Sequence, residues 1–138
     1  MTVALWIPKE VIAQSLELVH PHLRRFCERF PDDYSLPEIL VGLLNGQTAG
    51  FMAWEEEKRI SHAFAFGSVV VEHGGQKCLQ MAGIEGENLD QWQAMMDDEF
   101  TRFAKENGCN KVRFIGRKGW KHYLPTYRVK FYVFQRDL

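Results

Sequence analysis

Lys77-Cys78-Leu79-Gln80-Met81-Ala82-Gly83-Ile84, then Glu85-Gly86-Glu87-Asn88, then Leu89-Asp90-Gln91-Trp92-Gln93-Ala94-Met95-Met96, passes from one backbone period to another. The first segment is a short apolar run bounded by the turn His73-Gly74-Gly75-Gln76, which reads as a strand. The period then changes. Leu89, Trp92, Met96, Phe100 and Phe103 step by three and four along one face, as an amphipathic helix requires. Asn88 stands at the N-cap with Gln91 three residues on, and Asn107-Gly108 closes the helix. Residues 111–115 form the next strand. A strand–helix–strand crossover of this length makes its two strands a parallel pair.

Upstream, Gly50-Phe51-Met52-Ala53-Trp54 and His62-Ala63-Phe64-Ala65-Phe66 read as strands joined by a charged turn from Glu55 to Arg59. Val69-Val70-Val71 extends the second, and with residues 77–84 they make an antiparallel meander. Before the meander the spacing is helical. Pro8 suits a first turn, and Val11, Ile12, Leu16 and Val19 follow. Pro21 is expected to break or kink that helix, after which Leu23, Phe26, Cys27 and Phe30 continue a second stripe. Ser35 and Glu38 make a capping box for a short helix that Asn45-Gly46 ends. Downstream, residues 116–127 read as a loop with a helical turn or two, and residues 129–135 as a final strand.

Composition fits a single domain over residues 1–138. Apolar residues make up 46% and charged residues 25%, a globular balance. A net charge of −1 gives no electrostatic footprint for nucleic acid. No apolar run is long enough to span a bilayer, and residues 1–6 are too short for a signal peptide. Cys27, Cys78 and Cys109 are odd in number and lack metal-binding spacing, which predicts reduced core thiols in a cytoplasmic setting. His20-Pro21-His22 is read as a helix break with exposed imidazoles, not as a metal pair, and no metal site is assigned.

The order of helices, meander, long helix, strand, short helix and strand resembles the GNAT (N-acetyltransferase) fold over nearly the whole chain. Leu44-Asn45-Gly46 before Ala49-Gly50-Phe51 resembles the start of the second GNAT strand, and residues 78–108 resemble the acetyl-CoA motif. Gly116-Arg117-Lys118-Gly119-Trp120 with Tyr123 resembles the region near the thioester. With Trp92 and the Ala104–Gly108 helix end, that segment is similar to a GNAT-like group of bacteriophages and prophages, related to internal virion proteins of podoviruses. The resemblance implies an α/β fold: a mixed, twisted sheet of about six strands with helices on both faces.

In that family a loop Gln/Arg-x-x-Gly-x-Gly/Ala aims backbone N–H groups at the CoA pyrophosphate, at the N-terminus of a helix. Here it aligns with Gly83 through Asn88. Gly86 keeps the central glycine, Gly83 replaces the Gln/Arg, and Asn88 replaces the last small residue. Glu85 and Glu87 flank Gly86, with Asp90 one turn on. This is acid that stabilises a helix N-terminus and repels a pyrophosphate. If acetyl-CoA binds, the resemblance implies that the backbone of residues 79–83, including Leu79 and Met81, holds pantetheine, while Gly86 and Asn88 meet the pyrophosphate. Tyr123 would protonate the departing thiolate, or else pack the short helix against the sheet. Glu85 would be the base for an attacking amine, or else a solvated loop carboxylate.

Arg117, Lys118 and Trp120 suit a protein contact, with a partner, a second copy or phage structural proteins. Trp120 could equally pack in the core. Two functions are therefore expected from this sequence. One is a phage- or prophage-derived protein with weakened acetyl-CoA use that acts through protein contacts, in the host cytoplasm or the virion. The other is a working acetyl-CoA-dependent N-acetyltransferase using direct attack by an amine.

Overall fold

The computed structural model describes residues 1–116, 120, 122, 124–130 and 134–138. The elements are β1 (Thr2–Ile7), α1 (Lys9–Gln14), α2 (Leu16–Arg29), α3 (Leu36–Asn45), β2 (Ala49–Glu55), β3 (Ile60–Val71), β4 (Lys77–Gly86), α4 (Leu89–Glu106) and β5 (Cys109–Phe114), with a 3-10 turn at His73–Gly75. They build one five-stranded sheet in the order β1-β2-β3-β4-β5. The first four strands are antiparallel neighbours, and β5 lies parallel to β4 as the crossover demands.

Two apolar layers fix the helices to opposite faces. On one, Phe51, Ala65, Leu79 and Met81 of the sheet meet Met96, Phe100 and Phe103 of α4. On the other, Met52, Phe64 and Phe66 meet Ile12, Val19, Leu23, Phe26 and Leu43 of the first three helices. Consecutive residues of β2 and β3 thus serve different layers, as a strand buried on both sides must. Edge-on ring contacts, such as Phe51 with Phe100 at 4.9 Å and Phe26 with Phe66 at 5.1 Å, knit each layer.

The structure corrects several expectations. β1 is a full strand, paired from Thr2↔Glu55 to Ile7↔Gly50, which the helical reading of the N-terminus passed over. The first helix breaks at Ser15, and α2 runs on through Pro21. Ser35 is the N-cap of α3 but makes no side-chain capping bond. The described residues of the segment 129–135 are not in a strand. No helix among the described residues is long and apolar enough to cross a membrane.

Candidate functional site

The site is set by an irregularity in β4. Phe66 faces Gly83 across the β3–β4 ladder while Gly67 faces Met81, which leaves Ala82 as the extra residue of a bulge. Gly67 permits it: a β-carbon there would lie 2.5 Å from the Gln80 carbonyl and 2.7 Å from Met81 Cα. The bulge resets the side-chain alternation. Leu79 and Met81 enter the α4 layer, whereas Gly83 lies against Phe26 and Glu85 faces α2. The Ala82 carbonyl, freed from the ladder, accepts a hydrogen bond from Tyr34 Oη at 3.1 Å.

At the same point the sheet divides. β5 follows β4 from Lys77↔Cys109 to Met81↔Phe114, and the Ile115 N–H donates to the Met81 carbonyl at 3.0 Å. Beyond the bulged Ala82, residues 83–86 of β4 then pair with β3 alone among the described residues. The backbone of Leu79 and Met81 is therefore engaged on both sides by neighbouring strands, and the open edge begins only at Ala82.

The turn into α4 is short. β4 stays paired through Gly86↔Ala63, and only Glu87 and Asn88 separate it from the helix. Gly86 is required by close approach, since a β-carbon would meet the His62 carbonyl at 2.5 Å and Ala63 Cβ at 2.6 Å. The Glu87 N–H donates to the His62 carbonyl at 3.4 Å, and the Glu87 carbonyl accepts from Trp92 Nε1 at 2.8 Å. Asn88 is the N-cap in a left-handed conformation (φ 55°), is exposed, and makes no side-chain capping bond. Trp92 also stacks on His62 at 4.7 Å, and His62 Nε2 lies 3.0 Å from Glu55 Oε1.

Glu85 is not a solvated loop carboxylate. It is 4% exposed and sits at the centre of a charged cluster under α2. His22 Nδ1 meets its Oε2, Arg25 Nε donates to Oε1 at 2.9 Å, and Arg29 Nη2 donates to the same oxygen at 3.3 Å. The far ring nitrogen, His22 Nε2, is 2.9 Å from Ser61 Oγ and 3.2 Å from the Ser61 carbonyl. His22 is itself buried, contrary to the expected exposed imidazole; of the two histidines only His20 faces solvent. Burial alone would push the Glu85 carboxyl up, but the hydrogen bonds from His22 and Arg25 outweigh it and hold the group below the usual carboxylate range. Chemically the arrangement is a Ser61–His22–Glu85 hydrogen-bonded series, closed off by two guanidinium groups.

Sequence reading missed this cluster, because its members come from α2, β3 and β4. The one available signal was the spacing of His22, Arg25 and Arg29, which puts all three on one helical face. Trp120 is half-buried and stacks on Phe114 at 5.2 Å. Tyr123, Arg117 and Lys118 lie outside the described residues. Burial pushes the thiols of Cys27, Cys78 and Cys109 up, away from nucleophilic thiolate character.

No family model and no curated protein matches the chain in sequence. Solved structures do match in shape. An aminoglycoside acetyltransferase from an uncultured soil metagenomic sample, in complex with sisomicin, superposes with a TM-score of 0.68 at 14% identity, covering 99% of this chain and 96% of the other. A Trypanosoma brucei acetyltransferase gives 0.66 at 12% identity over the whole of both chains. A ribosomal-protein-alanine N-acetyltransferase from Brucella melitensis gives 0.68 at 11% identity, covering 99% and 100%. With helices on both faces of a mixed sheet that divides between β4 and β5, the chain has the fold of the GNAT acetyltransferases.

Proposed function

We propose that this is a phage- or prophage-derived protein on the acetyltransferase fold, with weakened acetyl-CoA use, that acts through protein contacts. The observation that carries the reading is the turn between β4 and α4. Residues that would have to bare their amides to a pyrophosphate are instead held in the sheet to Gly86, and the next N–H is donated to the His62 carbonyl. Glu87 and Asp90 add negative charge at the point where a helix N-terminus would otherwise attract an anion. Under this reading Glu85 anchors α2 to the sheet, since its oxygens are taken up by His22, Arg25 and Arg29. The Gly116–Trp120 segment is the contact region, and its similarity to phage proteins suggests a virion component as the partner.

Acetyl-CoA titration by calorimetry at moderate salt tests it. Binding weaker than about 100 μM, or about −5.5 kcal/mol, is expected. Low-micromolar binding overturns the reading.

One observation favours a second reading, that of a working N-acetyltransferase. After Met81 no described strand pairs with the outer edge of β4 at residues 82–86, and an extended ligand fits such an edge by β-strand addition. In that case an amine attacks the thioester directly and Tyr123 protonates the leaving thiolate.

A further inference from the structure

Beside α4, a recess of about 320 Å³ opens between the helix and His122 with residues 124–127. Its walls include Asp90, Gln93, Asp97, Asp98, His122 and Tyr127. Gln93 is only 6% exposed, and neither its Oε1 nor its Nε2 finds a hydrogen-bond partner among the described residues. A carboxamide buried without partners is uncommon, and an apolar side chain of the same length would fill the position without that cost. Around it stand carboxylates. Asp90, Gln93, Asp97 and Asp98 are spaced by three, four and one, which places them on one helical face. Asp97 Oδ1 accepts a bond from Tyr127 Oη, whereas Asp90 and Asp98 make no ion pair or hydrogen bond among the described residues.

From the buried carboxamide and the unpaired acids we infer that this recess binds a small organic ammonium compound that also carries a hydroxyl or carbonyl oxygen. The acids and Gln93 Oε1 call for N–H donors of positive charge. Gln93 Nε2 calls for an acceptor, which a simple alkylammonium ion does not have. A metal ion fits less well, because no group of three or more His, Cys, Asp or Glu among the described residues is arranged to hold one. The volume equals that of about ten waters in the liquid, the scale of an amino alcohol or a single aminosugar ring. The lining of the recess includes no residue of β4 or β5.

The test is titration of the full chain at low salt, following the Gln93 side-chain amide signals by NMR. Glucosamine supplies charge and hydroxyls, N-acetylglucosamine removes the charge, and cyclohexylamine removes the acceptors. Glucosamine is expected to move the Gln93 signals saturably in the millimolar range, with both controls weaker by about tenfold, roughly 1.4 kcal/mol. Asp90→Asn with Asp98→Asn, both at exposed positions, should weaken glucosamine severalfold, and Gln93→Leu, read by the line broadening of glucosamine's own signals, should abolish its binding in a folded protein. No saturable change up to tens of millimolar, equal binding of N-acetylglucosamine, or unchanged affinity in the double variant overturns the proposal. Equal binding of cyclohexylamine would reduce the recess to a nonspecific acidic patch and overturns it as well.

Discussion

Glu85 and His22, 63 residues apart in the chain, share a hydrogen bond between Oε2 and Nδ1 with each side chain only 5% exposed. That contact ties β4 to α2 just where β4 has left its partner β5. A buried carboxylate held by three cationic or polar donors is costly to disturb, because removing one charge leaves the others unpaired.

Glu85→Gln is accordingly expected to destabilise the protein by about 3 kcal/mol, toward the low end for buried pairs because Arg25 and Arg29 are half in water. Urea unfolding of the two proteins measures it. A loss below about 0.5 kcal/mol, the level of an ordinary surface change, would mean the cluster is not an anchor.

Acid should unfold the protein through three carboxylates. Lys111, and then Arg113, hold Glu72 down at about 2 from an ordinary 4.5, and Glu85 and Glu99 are also lowered, Glu99 chiefly by its hydrogen bond from Arg102. A lowered folded-state pKa gives stability that is full above the unfolded value and lost as pH falls through the folded one. The stability these carboxylates contribute should therefore be flat above about pH 5 and decline from the ordinary carboxylate range near 4.5 toward 2. Glu72→Gln should flatten part of that decline in a pH series of unfolding curves.

Gly86→Ala separates a folding role from a cofactor role. The added methyl group meets the β3 backbone at His62 and Ala63 Cβ, so a loss of about 1–3 kcal/mol is expected, as overpacking gives. Thermal melting reads it directly. A variant that melts like the parent but changes acetyl-CoA binding would restore Gly86 to the phosphate loop.

Gln93→Leu should raise stability by about 1–3 kcal/mol, because two buried polar atoms without partners are replaced by apolar ones of similar size. Melting midpoints compared with those of the parent decide the sign. A lower midpoint would show that the carboxamide is satisfied in solution.

Trp120→Ala tests the contact region. The ring is half-buried on Phe114, so about 2 kcal/mol is expected, below the 3–5 kcal/mol of a fully buried aromatic. Sedimentation beside thermal melting distinguishes packing from association. Unchanged stability with loss of self-association would make Trp120 part of an interface.

The layout from the meander through α4 to β5 is legible along the chain, because period is written into it. The change from alternation to steps of three and four at Asn88 marked the crossover, and Asn45-Gly46 and Asn107-Gly108 marked helix ends. The sequence did not reveal β1, whose residues pair with partners 43 to 53 positions on, across three helices and not across a hairpin turn. Nor did it place the break at Ser15, since local propensity points to Pro21 and tertiary packing of Val19, Leu23 and Phe26 carries α2 through it. The site was decided almost wholly by tertiary structure. The residues Gly83, Glu85 and Gly86 were visible, but a single bulge at Ala82 fixes the face each one presents. A one-residue shift of register turns every following side chain to the other side of the sheet. Because of that shift Glu85 meets His22 under α2 and does not face the α4 layer, and no reading of residue types along the chain contains that choice.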